Sequence, residues 1–277
     1  MVFKKASVCR SCISFGILLK INQTSPTLPT KKTDPLLIEL DVTDSSNNYA
    51  MGLIHAGVAQ HGQAVLAYQQ TEGRGQRGKS WESPPGESLS LSVLLQPHFL
   101  HPALGFRLLA TTALTVVQVL RKVTGEEMKI KWPNDIYWRD RKAGGILIES
   151  VLQGQTWNWA VVGIGINVNQ LHFPGSLPNP VSLLQITGNP YPVRELAEEI
   201  TCEMVAAIAR LQQEGFDAVL EEYNHLLYKK GQPACFKQGN RRFTSVVAFV
   251  DEEGCLHTGL NGEEQFRFGQ LEWIPEF

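Results

Sequence analysis

Three glycines and two arginines fall within six residues at Gly73-Arg74-Gly75-Gln76-Arg77-Gly78. Glycine lets a backbone approach a ligand closely, and each guanidinium presents a planar fork matched to two anionic oxygens. The combination predicts phosphate or carboxylate chemistry. A second set, Lys131-Trp132-Pro133-Asn134-Asp135 followed by Arg141-Lys142-Ala143-Gly144-Gly145, brings lysines, an amide and a carboxylate around a short turn. Asp135 is suited to ligating Mg²⁺ or taking a proton, and Lys142 to neutralising charge that develops on a phosphate. Lys142 precedes two glycines that enter a strand, which puts its side chain at a sheet end where a ligand can lie. Arg139, Asp140 and Arg141 read as a solvated hairpin tip. In Gly163-Ile164-Gly165-Ile166-Asn167 the small residues let another group approach the strand, and Asn167 offers both donor and acceptor. Taken singly, the second set is also an ordinary charged hairpin and the third an ordinary strand with glycines.

The first run also satisfies G-x-G-x-x-G, found in dinucleotide-binding folds and kinase lids. A dinucleotide site requires a strand before the loop and a helix opening after it, so that the helix N-terminus meets the pyrophosphate. Gln63 to Tyr68 reads as that strand. Lys79-Ser80-Trp81-Glu82-Ser83-Pro84-Pro85-Gly86 follows, and two prolines with a glycine oppose a helix. The kinase reading fails for want of an H-R-D-type catalytic loop or a D-F-G.

The elements that must position these groups can be read from periodicity. Leu36 to Val42 is a candidate strand, and it runs into Asp44-Ser45-Ser46-Asn47-Asn48, a polar cluster suited to capping a helix that continues through Met51 and Val58. Ser88 to Leu94 alternates with period two, which predicts one buried face and one carrying hydroxyls. Leu104, Leu108, Val116, Val119, Leu120 and Val123 recur at helical spacing before Gly125. Leu196, Ile200, Met204, Ile208 and Leu211 mark a second long helix, and Val219 to Tyr228 predicts another. Lys129 to Trp132, Gly145 to Glu149 and Trp157 to Val168 read as strands in hairpin-like order without crossover helices. The expected fold class is therefore α+β, a mixed, mostly antiparallel sheet with helices on one face. After Gly231, short runs at Phe243 to Val250, Cys255 to Thr258 and Gln265 to Phe268 predict a small C-terminal β-barrel. The organisation expected is a leader at 1–35, a catalytic domain at 36–230 and a β domain at 231–277.

The chain has 277 residues, 43% of them hydrophobic, which is enough for a substantial core. Its net charge of −2 gives no overall footprint for nucleic acid or an anionic membrane. No apolar stretch in the sequence approaches the roughly 20 residues of a membrane span. Lys4, Lys5 and Arg10 before Ile13 to Leu19 imitate a signal peptide, but Lys20 interrupts it and no small-residue cleavage site follows. The first 35 residues read instead as a disordered or non-native leader, and a cytoplasmic setting is expected. Five cysteines, an odd number, give no disulfide framework, and Cys9-x-x-Cys12 lacks the second pair that zinc requires. Cys202, Cys235 and Cys255 are expected to pack as small apolar side chains.

Taken together, the motifs resemble those of the biotin protein ligases. The residues that carry the likeness are Asp44-Ser45-Ser46-Asn47, Gln70 with the Gly73 to Gly78 run and Trp81, Lys131 to Asp135, Arg141 to Leu147, and Gly163 to Asn167. They occur in the family's order from about Leu36 to the end. The resemblance implies a class II synthetase-like sheet with a C-terminal SH3-like module, using ATP and Mg²⁺ to form biotinyl-5'-AMP. Biotin is then passed to a lysine of a carboxylase carrier domain. It further implies that Ser45, Ser46, Asn47 and Gln70 line the biotin pocket, with Arg74, Gly75, Gln76, Lys142 and Gly144 also on the biotin side. Arg77, Trp81, Lys131, Asn134 and Asn167 would serve ATP, Lys142, Arg74 and Asp135 catalysis, and Asp135 the metal.

Gln76 departs from the arginine common at the fourth loop position, which puts retention of the adenylate in question, and Ser46 replaces the usual threonine. Only about 35 residues precede Leu36, fewer than a DNA-binding domain needs, so no nucleic-acid partner is expected. No membrane partner is expected either, and the chain is expected to be a monomer or a homodimer. Two other readings stay open on the residues alone. One is a lipoate ligase or octanoyltransferase, for which the polar Ser45, Asn47 and Gln70 have less use. The other is a biotin-binding sensor that does not transfer, against which Lys142 and Asp135 stand.

Overall fold

Alternation and helical periodicity resolve into a mixed sheet in the computed structural model of the protein, which describes residues 37–82, 84–175 and 177–274. The leader and the Cys9–Cys12 pair lie outside the described residues. The strands are β1 (Leu37–Leu40), β2 (Ala64–Ala67), β3 (Ser88–Leu95), β4 (Met128–Lys131), β5 (Asp135–Trp138), β6 (Arg141–Gln153) and β7 (Thr156–Asn167). They lie in the order β1-β2-β3-β7-β6-β5-β4, antiparallel throughout except for the parallel β1–β2 pair. β5 had no strand signal of its own beyond the turn residues around it, because four residues between two turns carry too little period to read.

Side-chain alternation gives this sheet two chemically different faces. One face carries Leu89, Leu91, Val93, Leu95, Val162, Ile164 and Ile166, which join the main core. Helices α2 (Gly105–Thr124) and α4 (Val193–Glu214) supply its other side through Leu108, Val116, Leu120, Leu196, Ile200 and Met204. The predicted stripes of both helices are the buried ones. By length and composition the helix that includes α2 also suffices to cross a membrane, but most of its apolar window is buried inside the protein. Short helices α3 (Leu183–Thr187) and α5 (Asp217–His225) both pack against α2.

The opposite face carries Ser92, Gly163 and Gly165, with α1 (Ser46–His55) lying across it. Ala50 of α1 meets Val65, Leu94, Trp159 and Val161 in a small second cluster. α1 is thus the exception to helices on one face. It ends at His55, three residues short of the expected Val58. The hydroxyls of β3 are also not solvated: Ser88, Ser90 and Ser92 are as buried as the leucines between them. A β3 serine beneath α1 is a lining residue, whereas on an ordinary two-faced sheet it would meet water.

After residue 231 a second sheet forms from β8 (Pro233–Gln238), β9 (Arg241–Val250), β10 (Leu256–Thr258), β11 (Glu264–Phe266) and β12 (Glu272–Trp273), in the order β11-β10-β9-β8-β12. Three of the five strands were legible in sequence, and β8 and β12 were not. Sidedness at the seam is set by indole and amide bonds. Trp132 Nε1 donates to Gly254 O at 2.9 Å, Trp273 Nε1 to Trp132 O at 3.2 Å, and Asn224 exchanges two bonds with the Val250 backbone at 2.7 and 2.8 Å. Of the three cysteines described, Cys255 is buried as expected, Cys235 is half-buried, and Cys202 is exposed on the outer side of α4.

Candidate active site

The polar cluster before α1 does not cap it as expected. Ser45 takes the N-cap position without a side-chain bond, and Asp44 instead accepts from Ser45 N at 2.6 Å and from Asn48 Nδ2 at 2.7 Å. These bonds hold the Asp44 carboxyl below its usual range, the Asn48 amide foremost. The free N–H of Ser46 is satisfied from a distant loop by Gln70 Oε1 at 2.8 Å. Released from capping, Ser46 and Asn47 turn onto the sheet, where both are buried.

Asn47 lies over Gly163, where a Cβ would come within 2.5 Å of its Oδ1. The Ser92 hydroxyl donates to Asn47 Oδ1 at 2.6 Å and sits 2.8 Å from Ser46 Oγ. Asn47 Nδ2 donates to Glu149 Oε2 at 2.7 Å, and Arg74 Nη2 reaches the same oxygen at 3.1 Å and Asn48 Oδ1 at 2.6 Å. Ser92, Glu149 and Asn48 were missed by sequence reasoning. The hydroxyl stripe of β3 was the signal for Ser92; Glu149, 102 residues from Asn47 in the chain, gave none.

The glycine-arginine run forms a cover over this face. Arg74 bridges to Ser80 and Gly75 N donates to Lys79 O at 2.7 Å, so the loop folds back on itself. A side chain at Gly73 would collide with Trp81 O and approach Gln70 Nε2. Gln76 Nε2 reaches Ile146 O at 3.2 Å, and Arg77 adopts φ 58°, a left-handed conformation. Its guanidinium points to Gly269 of the C-terminal module, where a Cβ would lie 3.6 Å from Cζ. The Arg74–Glu149 pair is half exposed at its arginine. Such pairs contribute roughly 0–1 kcal/mol, so the tie is weak enough for the cover to open.

Trp81 closes the middle of the face. Its ring lies over Gly165, where a Cβ would come within 2.7 Å, and its indole N–H is buried without a partner among the described residues. A buried donor left open is a place for a ligand acceptor. Beside it, Lys142 Nζ donates to Asp135 Oδ1 at 2.6 Å, with both side chains about one-third exposed. The pair depends on a bulge, because β5 pairs Ile136 with Gly144 and Tyr137 with Lys142, leaving Ala143 between them. Gly144 leaves no room for a side chain against Gly165 O. Asn134 and Asn167 are buried clamps: Asn134 Nδ2 donates to Ile146 O at 2.7 Å, and Asn167 Nδ2 to Lys142 O at 3.3 Å and Val181 O at 3.1 Å. Lys131 lies one strand further out, opposite Asp135.

A hydrogen-bonded polar cluster, a lysine–carboxylate pair and an arginine-bearing cover lie on one sheet face, the layout of an acyl-activating ligase. Residues 39–167 match the biotin/lipoate A/B protein ligase family. The chain is 33% identical over 220 residues to the bifunctional ligase/repressor BirA of Escherichia coli (strain K12), covering 78% of this chain and 67% of that protein. It is 30% identical over 220 residues to the biotin--[acetyl-CoA-carboxylase] ligase of Paracoccus denitrificans, covering 77% and 90%. The biotin protein ligase from Aquifex aeolicus, solved with biotin and ATP, superposes with a TM-score of 0.73 at 25% identity, covering 87% of this chain and all of that one. The chain belongs to the biotin/lipoate A/B protein ligase family.

Proposed function

We propose that this chain is a ligase that joins biotin to a lysine of a biotin carboxyl carrier domain in two steps. A biotin carboxylate oxygen attacks the α-phosphorus of ATP, the α–β phosphoanhydride bond breaks, and pyrophosphate leaves with the electron pair. The carrier lysine amine then attacks the acyl carbon of biotinyl-5'-AMP, and AMP leaves. The observation that carries this reading is the Lys142–Asp135 pair placed beside the Asn47–Ser92 pocket on one face. Ser45, Ser46, Asn47 and Gln70 hold the ureido end, where a neutral polar ring requires neutral donors and acceptors.

Lys142 relieves the repulsion between a carboxylate and an already anionic α-phosphate, and Arg74 and Arg77 on the cover add to the positive field. Asp135 orients Lys142 in the first step and faces the incoming amine in the second. Trp81 takes the nucleoside, the clamps at Asn134 and Asn167 hold the strands beside it, and the cover excludes water from a labile anhydride. Among the described residues no group of three or more His, Cys, Asp or Glu could cage a metal. Mg²⁺ fits here as an ion carried on ATP with Asp135 as its one protein carboxylate, and bound there it would draw charge off the phosphates. The proposed domain boundary near residue 230 separates this face from the C-terminal module.

The test is intact mass of a biotin carrier domain and of a lipoyl domain after incubation with the chain, ATP, Mg²⁺ and either biotin or lipoate. A mass gain on the biotin carrier with biotin is expected. Gain with lipoate alone would overturn the reading, and biotin binding without transfer would favour a sensor.

A further inference from the structure

One carboxylate oxygen serves both the floor of the pocket and its cover. In the β6–β7 register Gly145 pairs with Gly165, Leu147 with Gly163 and Glu149 with Val161, while Ile146 and Ile148 turn to the main core. Alternation therefore places Glu149 on the face that α1 crosses, with Val161 and Val151 beside it in the apolar cluster around Ala50. A carboxylate there costs desolvation unless donors reach it. Two do: its Oε2 accepts from Asn47 Nδ2 at 2.7 Å and from Arg74 Nη2 at 3.1 Å.

The same Arg74 nitrogen donates to Asn48 Oδ1 at 2.6 Å, and Asn48 Nδ2 donates to Asp44 Oδ2 at 2.7 Å. The cover arginine is thus held by one carboxylate directly and by a second through an amide. Only the first of these touches the pocket, through the buried Asn47. Asn47 Oδ1 is taken by the Ser92 hydroxyl, so Nδ2 is the atom of this amide that a ligand carbonyl would meet. Glu149 holds that atom and the cover at once.

We propose that Glu149 is a positioning residue that carries the occupancy of the pocket to the cover: when a ligand carbonyl takes the Asn47 amide, the Glu149 charge is left to Arg74 and the cover tightens. An oxygen that gives up one donor binds the remaining guanidinium more strongly. The ligand chemistry required is a neutral ring with a carbonyl acceptor, as in the cyclic urea of biotin. The proposal rests on the biotin-binding part of the reading above and adds the group through which closure depends on the ligand. The effect is reciprocal, so whatever factor biotin adds to closure, closure adds to biotin affinity.

Trypsin cleavage of the full chain at Arg74, Arg77 and Lys79, mapped by intact mass with and without biotin, reads the opening of the cover. Glu149→Gln keeps the shape and an acceptor for Asn47 but removes the charge. Biotin is expected to slow cleavage of wild type about fivefold and of Glu149→Gln less than twofold, the scale of one partly exposed ion pair. Calorimetry should show the variant binding biotin about threefold more weakly. Equal protection in the two chains would overturn the proposal, and so would loss of all biotin binding in the variant, which would make Glu149 a plain wall of the pocket. Should Glu149→Gln not fold, Arg74→Lys keeps the charge and the cleavage site but lacks the fork that spans Asn48 and Glu149. It should lose the protection too, and full protection sinks the proposal. A wild-type chain that biotin protects but that forms no biotinyl-5'-AMP fails the ligase reading and leaves this coupling standing; adenylate formation with equal protection fails only the coupling. A wild-type chain that biotin does not bind fails both.

Discussion

At the Asn47 end of the ligand face, polar groups answer one another; at the Lys131 end, one ion pair stands beside an ammonium held by aromatic rings. Asn47 uses its oxygen on Ser92 and its nitrogen on Glu149, and Gln70 completes the turn above them. That end is set before any ligand arrives and selects by shape and donor placement. The lysine end holds Lys142 against Asp135 and leaves Lys131 caged in rings without a carboxylate of its own. Burying that ammonium carries a cost in stability. The difference teaches that one sheet face can divide its chemistry strand by strand, with neutral amide and hydroxyl contacts at β3 and β7 and charged groups at β4 to β6.

The largest effect belongs to the charged pair. Lys142→Ala is expected to lower adenylate formation by about 10²–10³-fold while leaving the melting transition in place. Near-normal pyrophosphate release from that variant would break the comparison at its charged end. Next comes Gly163→Ala, whose Cβ would crowd Asn47 Oδ1. Overpacking of this kind costs about 1–3 kcal/mol, so biotin affinity should fall about tenfold or more while ATP affinity holds, read by calorimetry.

Lys131→Met tests the cost at the lysine end. The folded amine, at about 8, lies below the roughly 10.4 of a free lysine, so between these values the unfolded chain holds more protons. Wild-type stability should therefore rise as pH climbs from 8 to 10, and the variant should lack that rise. At pH 7 the variant should be more stable by about 1–2 kcal/mol, measured by urea unfolding, because the contacts with Tyr137 and the field of Asp135 do not offset desolvation. Equal pH profiles would show that the amine is not strained. The smallest effect is expected at the cover, where Gln76→Arg should slow biotinyl-5'-AMP release by about two- to fivefold, timed by rapid filtration.

Long periodic segments were legible because their burial pattern is written locally. The stripes from Leu104 to Val123 and from Leu196 to Leu211 became α2 and α4 with small changes at their ends. β5 and α3 were not, since four or five residues hold little more than one period. In the candidate site, Lys142, Asp135, Arg74 and Trp81 were visible because their types are unusual beside glycine. Ser92 and Glu149 are common residues in ordinary strands, and only α1 crossing the sheet gives them partners.

The sequence by itself determined which residue types stand at each bend and strand end, and so the expectation of anion chemistry at the glycine-arginine run. It also determined the two glycines that follow Lys142 and the two small residues of β7. Tertiary structure alone decided that Gly163 and Gly165 receive Asn47 and Trp81, that the serines of β3 are buried rather than solvated, and that Lys131 meets Trp273 across the seam. Such pairings join residues dozens to more than a hundred positions apart. Local propensity carries no record of them, because their energy exists only once the sheet has brought both partners out of water.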